Sequence, residues 1–163
     1  MKIRKTTIQD LPKVMEIYAQ ARALMVETGN PTQWGQGHPA QWMIEADIAQ
    51  GLSYVCEQDT GEIGGVFYFS TDPDPTYAQI DGAWQNHAPY GVVHRIARGE
   101  NAKGVGAFCL EWCYQQTKNV RIDTHENNAP MLQLLEKLGY VYCGIVWLAE
   151  IGETRMAFQK CEA

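Results

Sequence analysis

Apolar positions follow two different periods along this chain, and the changes between them predict its secondary structure. Apolar residues recur every three or four positions in four segments, which predicts helices over residues 11–27, 39–50, 105–117 and 129–138. Short runs rich in β-branched and aromatic residues predict strands over residues 2–4, 52–58, 63–70, 92–98, 120–124, 140–148 and 154–159. This order predicts one domain over residues 1–163 of mixed α/β class, in which helices flank a central mixed sheet containing one parallel crossover.

Proline and glycine mark the boundaries of these elements. Pro39 and Pro130 are each predicted in the first turn of a helix, and Gly139 at the end of one. The longest stretch without a period covers residues 71–89, and residues 77–84 within it favour a short helical turn. Loops of this length in a small domain are often functional.

The stretch from Val92 to Phe108 predicts a strand, a glycine-containing turn and the start of a helix. Unpaired amides in the first turn of a helix favour an anion, and Lys103, Gly104 and Gly106 would let a phosphate approach the backbone. A tight turn that binds nothing explains this stretch equally well. No Gly-Lys-Ser/Thr follows it, and the first Gly-x-Gly of a dinucleotide fingerprint is missing.

Composition and charge narrow the function classes. A net charge of −6 without a basic stripe argues against nucleic acid and fits a cationic substrate. No apolar run reaches the roughly 20 residues needed to cross a membrane, and residues 1–7 lack an apolar signal core, so we expect a cytoplasmic protein with no membrane partner. The five cysteines form no C-x-x-C pair, which argues against a metal site and favours buried, reduced thiols.

Two spaced motifs resemble the GNAT superfamily of acyl-CoA N-acyltransferases. The family's cofactor loop, Gln/Arg-x-x-Gly-x-Gly/Ala, matches Asn101–Gly106 with asparagine in the leading position. Its second motif, an asparagine followed by an apolar helix and Lys-x-Gly-Phe, matches Asn128–Tyr140 with tyrosine for phenylalanine. Residues 3–10 before the first helix also fit, so the resemblance covers essentially the whole chain.

This resemblance implies an acetyl-CoA site where strands 92–98 and 120–124 separate. The backbone of Ile96 and Arg98 would pair with the pantetheine arm, and the Ile96 N–H would stabilise the oxyanion. Asn128 would bind further along the cofactor. The pyrophosphate would be held by the amides of Lys103, Gly104, Val105, Gly106 and Ala107. The family frequently uses a tyrosine as thiolate acid, and Leu135 occupies that position here.

Amine acetylation also needs a base, and histidine has the most suitable pKa. We therefore predict His94 and His125 as catalytic candidates, although either could be a structural hydrogen-bonding residue. Strand alternation places His94 and Arg95 on opposite faces, and Asp123 could pair with Arg121 or Arg95. Further candidates for the base are Glu126, Asp123 and Asp81.

Acidic and aromatic residues near the predicted site would suit an ammonium group. The predicted acceptor residues are Glu27, Trp34, Asp81 and Trp84. Tryptophans more commonly anchor a core, and only Trp34, beside a glycine in a loop, favours a functional role.

The resemblance therefore predicts an N-acetyltransferase that moves an acetyl group from acetyl-CoA directly to the amine of a small molecule or peptide. The alternative is a non-catalytic acyl-CoA sensor, favoured by the departures at Asn101 and Leu135. A purely structural protein is a weaker alternative, and a homodimer that covers an edge strand is plausible.

Overall fold

The computed structural model describes residues 1–162, which form one eight-stranded sheet with two helices on each face. The helices are Leu11–Glu27 (α1), Gln41–Ala49 (α2), Val105–Thr117 (α3) and Ala129–Lys137 (α4). The strands are Lys2–Lys5 (β1), Ser53–Glu57 (β2), Ile63–Ser70 (β3), Asp81–Gly82 (β4), Gly91–Arg98 (β5), Asn119–Thr124 (β6), Val141–Leu148 (β7) and Glu153–Cys161 (β8). The predicted fold class is confirmed.

The strand order is β1-β2-β3-β5-β6-β8-β7-β4. Every pair is antiparallel except β5–β6, which is the predicted parallel crossover and is connected through α3. Two local predictions were wrong. Pro39 precedes α2, after a cis His38–Pro39 bond, instead of lying in its first turn. The helical turn of the long loop is Pro75–Ala78, and Asp81–Gly82 is a short edge strand.

Each face of the sheet buries its own apolar cluster. The α1 and α2 face includes Val14, Ile17, Tyr18 and Ile44, packed on Val55 and Val66 of the sheet. The other face packs α3 and α4 on the sheet through residues that include Val105, Leu110, Leu135 and Phe158. Because β-strand side chains alternate between faces, Val93 of β5 projects into the cluster with α3 and α4, whereas its neighbour Val92 projects to the opposite face.

Four of the five cysteines are buried, namely Cys56, Cys109, Cys113 and Cys143, and none of the five forms a disulfide bond in the described chain. The predicted burial of the cysteines is therefore confirmed for these four, whereas Cys161 is partly exposed. Among residues 1–162, no helix is long and apolar enough to span a bilayer.

The long loop between β3 and β5 packs against the sheet instead of extending into solvent. Tyr77 is only 2% exposed and lies in a third cluster with Val92, Val146 and Ala157. This loop therefore covers the part of the sheet beside α1 and α2, over β5, β7 and β8.

Candidate active site

The parallel pair at the centre of the sheet opens into a cleft. β5 pairs with β6 at two positions, Gly91 with Val120 and Val92 with Arg121, and no further pair joins them within the described residues. β5 continues for six residues beyond Val92, so its backbone on this side faces a gap. The cleft lies where the family resemblance implied that the two strands separate.

The turn after β5 leads to an open helix start. Gly104, the N-cap residue of α3, has φ = +76°, a conformation that suits glycine. No side chain caps this end, and the first turn contains no acidic residue. The amides that α3 leaves unpaired are therefore available to an anion, and Lys103 beside them is exposed.

Gly106 has a packing role in this segment. A methyl group at this position would lie 3.2 Å from Leu134 Cδ2 of α4. The absent side chain at Gly106 therefore lets α3 approach α4, whereas a side chain at Gly104 would meet only the Met1 terminal carbon, at 3.7 Å.

A β-bulge interrupts β5 beside the cleft. Its register with β3 passes from Tyr68–His94 to Val66–Ala97, which leaves one extra residue in β5, and Arg95 has φ = +50°. The Tyr18 hydroxyl donates to the Arg95 carbonyl at 2.8 Å. This fixes the strained backbone immediately before Ile96.

The Arg95 side chain also anchors the bulge. Its Nε and Nη2 donate to the two carboxylate oxygens of Asp47 in α2, each at 3.0 Å. The guanidinium lies 4.7 Å from the ring centre of Tyr68, which also contacts the His94 ring at 5.6 Å. The prediction that His94 and Arg95 lie on opposite faces was wrong, because the bulge breaks the strand alternation.

His94 is held by an aspartate of the long loop. Its Nε2 lies 2.6 Å from Asp74 Oδ2, and Asp74 Oδ1 accepts the Thr76 N–H at 2.9 Å. Burial alone would raise the pKa of Asp74, but the bonds from His94 and Thr76 outweigh it and lower that pKa below its usual value. The carboxylate is then ionised at neutral pH and only accepts, so Nε2 carries the proton it shares with Asp74.

A second pair lies beside the first. The Tyr77 hydroxyl donates to Asp123 Oδ2 at 2.6 Å, and burial, followed by the Asp123 charge, raises the pKa of Tyr77 well above its usual value. The prediction that Asp123 pairs with Arg121 or Arg95 was wrong. Arg95 binds Asp47, and Arg121 stacks between aromatic rings.

His125 belongs to a different environment, where the loop after α1 meets the end of β6. Its Nδ1 accepts the Asn127 N–H at 3.0 Å, and its Nε2 lies 3.4 Å from Thr32 Oγ1. Together with Arg155, it lines a cavity of about 290 Å³ beside the β7–β8 hairpin. His125 and Glu126, which also lines this cavity, are thus separate from the His94–Asp74 pair.

Asn128 has a structural role at the start of α4. Its Oδ1 accepts the Met131 N–H at 3.2 Å and caps α4, while its Nδ2 donates to Gln33 Oε1 at 3.0 Å. Gln33 Oε1 also accepts from Asn30 Nδ2 at 2.7 Å. This network ties the loop after α1 to the start of α4.

The structure does not bring the four predicted acceptor residues together. Trp34 packs edge-on against Tyr18 at 5.7 Å, beside the α1 and α2 core. Glu27 is exposed at the end of α1. Asp81 lies in edge strand β4, four strands from β5. Only Trp84, whose Nε1 donates to the Tyr77 carbonyl at 3.0 Å, lies beside the His94 region.

Sequence reasoning missed two acids in this region, Asp74 and Asp47. Asp74 lies between two prolines in a long loop, which signals a fixed local backbone. Asp47 lies on the apolar side of α2, between Ile44 and Ile48, where the helical period calls for an apolar residue. Neither signal identifies the partner, because His94 and Arg95 are 20 and 48 residues away.

Comparison with known proteins agrees with this architecture. The family model described as "Acetyltransferase (GNAT) domain" matches residues 1–141. A GNAT-family acetyltransferase structure from Streptococcus agalactiae 2603 is 30% identical, with a TM-score of 0.88 over 99% of this chain and 95% of that one. Among curated proteins, no sequence matches significantly.

More distant structures share the fold. A GNAT-family acetyltransferase from Listeria monocytogenes 4b F2365 is 19% identical, with a TM-score of 0.70 over 98% of this chain and 93% of that one. A phosphinothricin acetyltransferase from Sinorhizobium meliloti, solved in complex with AcCoA, is 13% identical, with a TM-score of 0.66 over 98% and 86%. Since the family model spans most of the chain and the streptococcal relative covers nearly all of it, this protein belongs to the GNAT acetyltransferase family.

Proposed function

We propose that the protein transfers an acetyl group from acetyl-CoA directly to the amine of a small molecule or peptide. The observation that carries the proposal is the cleft at the centre of the sheet, where β5 stops pairing with β6 after Val92 beside the uncapped start of α3. An exposed strand edge and a free helix N-terminus can bind an extended amide-containing chain and a phosphate group, respectively.

The backbone supplies the donor site in this proposal. Ile96 and Arg98 offer the edge of β5 to the pantetheine arm, and the amides of residues 103–107 receive the pyrophosphate. Asn128 keeps one side-chain N–H beyond its bond to Gln33, and that group can donate further along the cofactor. Bound acetyl-CoA supplies the activated acetyl group.

His94 is the better candidate for the base. Because Nε2 shares its proton with Asp74, the neutral ring carries its lone pair on Nδ1. In His125, by contrast, the Nδ1 lone pair already accepts the Asn127 N–H, which leaves the proton on Nε2. His94 Nδ1 can therefore take a proton from an amine, whereas His125 Nδ1 is occupied by a structural hydrogen bond.

The proposed transfer replaces the thiolate of the thioester with the amine. The amine nitrogen forms a bond to the thioester carbonyl carbon, its proton passes to His94 Nδ1, and the C–S bond breaks with the electron pair leaving on sulfur. The Ile96 N–H is the proposed donor to the carbonyl oxygen. A thiol pKa of about 8.5 lets the thiolate leave near neutral pH without the family's tyrosine.

Calorimetric titration with acetyl-CoA, followed by a panel of amines, tests this function. We expect saturable binding of acetyl-CoA and release of CoA thiol with at least one amine. Absence of saturable binding up to millimolar acetyl-CoA would refute the proposal.

A non-catalytic sensor is the second candidate. Leu135 is fully buried in the core at the position of the family's tyrosine, so no phenol is available there. Two results together would favour this alternative. Acetyl-CoA would bind tightly without thiol release across the panel, and substitutions at His94 would leave its affinity unchanged.

A further inference from the structure

The side chains of Arg95, Arg121 and Arg155 are largely removed from solvent, and they differ in their partners. Arg95 binds the Asp47 carboxylate, and Arg155 Nη2 lies 3.3 Å from Glu153 Oε2. Arg121 is 5% exposed, and within residues 1–162 no carboxylate lies within 4.0 Å of it. Because buried charges are normally paired, Arg121 calls for an explanation.

Aromatic rings enclose the Arg121 guanidinium without neutralising it. Its central carbon lies 4.2 Å from the Trp84 ring centre and 4.0 Å from that of Tyr90. Nη2 donates to the Asn86 carbonyl at 2.9 Å, while Nε is buried without an acceptor. Burial lowers the pKa of Arg121 below its usual value, as expected where the charge is poorly compensated.

Arg121 also lines a cavity of about 560 Å³ whose other lining residues all lie between residues 73 and 90. This volume is within the range of small-molecule sites. Much of the wall is apolar or aromatic and includes Pro73, Ile80, Ala83, Trp84 and Tyr90. The cavity therefore combines a buried cation with space for an apolar body.

The cavity is connected to the proposed base. Asp74, which holds His94, is part of its wall, and the Tyr77 ring contacts both His94 and Trp84. Val92 is the register partner of Arg121, and His94 lies two residues beyond Val92 along β5. The Cα atoms of Val92 and His94 are therefore about 7 Å apart, with both side chains on the same face. One small molecule can thus reach both groups.

We propose that this cavity is a carboxylate subsite for the acceptor, so that the substrate is an amine that also carries a carboxylate and an apolar body. The carboxylate would supply the counter-ion that Arg121 lacks, and a planar guanidinium suits that group. This inference rests on the proposed acetyl transfer, but the binding site can be tested without it.

The first experiment measures binding without acetyl-CoA. Wild-type protein is titrated calorimetrically with 3-methylbutyrate and 3-phenylpropionate, and with the corresponding alcohols. We expect at least one carboxylate to bind about tenfold or more tightly than its alcohol, and Arg121→Gln to remove this preference. Lys137→Gln, which removes an exposed charge at the end of α4, is the control and should keep it.

The second experiment compares acceptors that differ only in the carboxylate: phenylalanine with phenethylamine, and leucine with 3-methylbutylamine. We expect kcat/KM to be at least about tenfold higher for an amino acid than for its decarboxylated partner. Arg121→Gln should remove this difference, because it should lower kcat/KM for the amino acid at least about tenfold more than for the plain amine. A structural role alone would lower both rates equally and would overturn the proposal.

The outcomes separate the subsite from the overall function. Acetylation of amines without preference for a carboxylate would overturn the subsite and leave acetyl transfer intact. Arg121-dependent carboxylate binding without acetylation of any amine would overturn the acceptor role together with the proposed function. If Arg121→Gln does not fold, titration of the wild-type protein with each carboxylate and its alcohol still tests the proposal. Equal affinity for the acid and the alcohol would contradict it.

Discussion

The two sides of β5 are built from different parts of the chain. Toward β6 and α3, the proposed donor site consists mainly of backbone: an unpaired strand edge and the first amides of a helix that begins at Gly104. Toward the long loop, the proposed acceptor site consists of side-chain pairs. Among these are His94 with Asp74 and Tyr77 with Asp123.

The two sides therefore depend on the amino-acid sequence in different ways. Backbone groups are present in any sequence that keeps the strand, the turn and the glycine, so the donor side tolerates substitution elsewhere. A side-chain pair exists only when both residues are present and the fold brings them together. The acceptor side can therefore change its specificity while the donor side remains constant.

The largest expected effect is a loss of acetyl-CoA binding on the donor side alone. Gly104→Glu places a carboxylate at the open start of α3, where it would repel and displace the pyrophosphate. We expect the acetyl-CoA dissociation constant to rise at least about 100-fold, or about 2.8 kcal/mol in binding free energy, as measured by calorimetry.

Gly61→Glu is the matched control for backbone strain. Gly61 has φ = +88° in the β2–β3 turn, close to the φ of Gly104, and nothing lies within 4 Å of an added Cβ. Both variants should lose similar stability, but only Gly104→Glu should lose acetyl-CoA. Equal affinity in the two variants would show that the helix start does not bind the cofactor.

The second effect is a loss of kcat that comes from the acceptor side alone. Asp74→Asn keeps an oxygen able to cap Thr76 but removes the charge that fixes the His94 proton on Nε2. An amide can also donate to Nε2, which moves the ring proton to Nδ1 and blocks the proposed base. We expect kcat to fall about 10- to 100-fold, with unchanged affinity for acetyl-CoA.

Asp72→Asn is the control within the same loop. Asp72 is exposed, and no bond to its carboxylate is found in the described part of the chain, so kcat should stay at the wild-type value. A fall in acetyl-CoA affinity for Asp74→Asn would mean that the two sides are not independent.

The same division explains what the sequence predicts and what it misses. Periodicity predicts all four helices and all but one of the strands, because each depends on residues close in the chain. The cleft is implied by the family resemblance, which rests on two local motifs, one containing glycines and one an asparagine. The β-bulge at Arg95 depends on Tyr18 and Asp47, 77 and 48 residues away, and no local pattern reports it.

The acceptor side was the least predictable region. Glu27 and Asp81 have the right chemistry for an ammonium group, but they lie apart in the fold, and Trp34 packs on Tyr18. Asp74 and Tyr77 are positioned by a loop that has no period. Side-chain pairs of this kind depend on how distant segments pack, and that is decided by the whole core.

The smallest expected effect concerns an ion pair that belongs to neither side of β5. Asp10 accepts from Arg4 Nη1 at 2.7 Å and Nη2 at 3.0 Å, before the start of α1. The Arg4 bond, followed by the Thr7 bonds, outweighs burial and lowers the pKa of Asp10 from 3.8 to about 2. A carboxylate whose pKa is lower in the folded than in the unfolded state stabilises the fold above the unfolded value, and this contribution is lost as the pH falls.

We therefore expect Asp10→Asn to lower the free energy of unfolding near neutral pH, without changing acetyl-CoA affinity or kcat. The pKa shift sets an upper limit of about 2.5 kcal/mol, and the partial exposure of Arg4 reduces the expected loss to about 1 kcal/mol. Urea unfolding should show the gap between wild type and variant narrowing as the pH falls from 3.8 and closing near pH 2. A gap that stays constant over this range would show that it comes from the Thr7 cap, which asparagine weakens at every pH, and not from the charge.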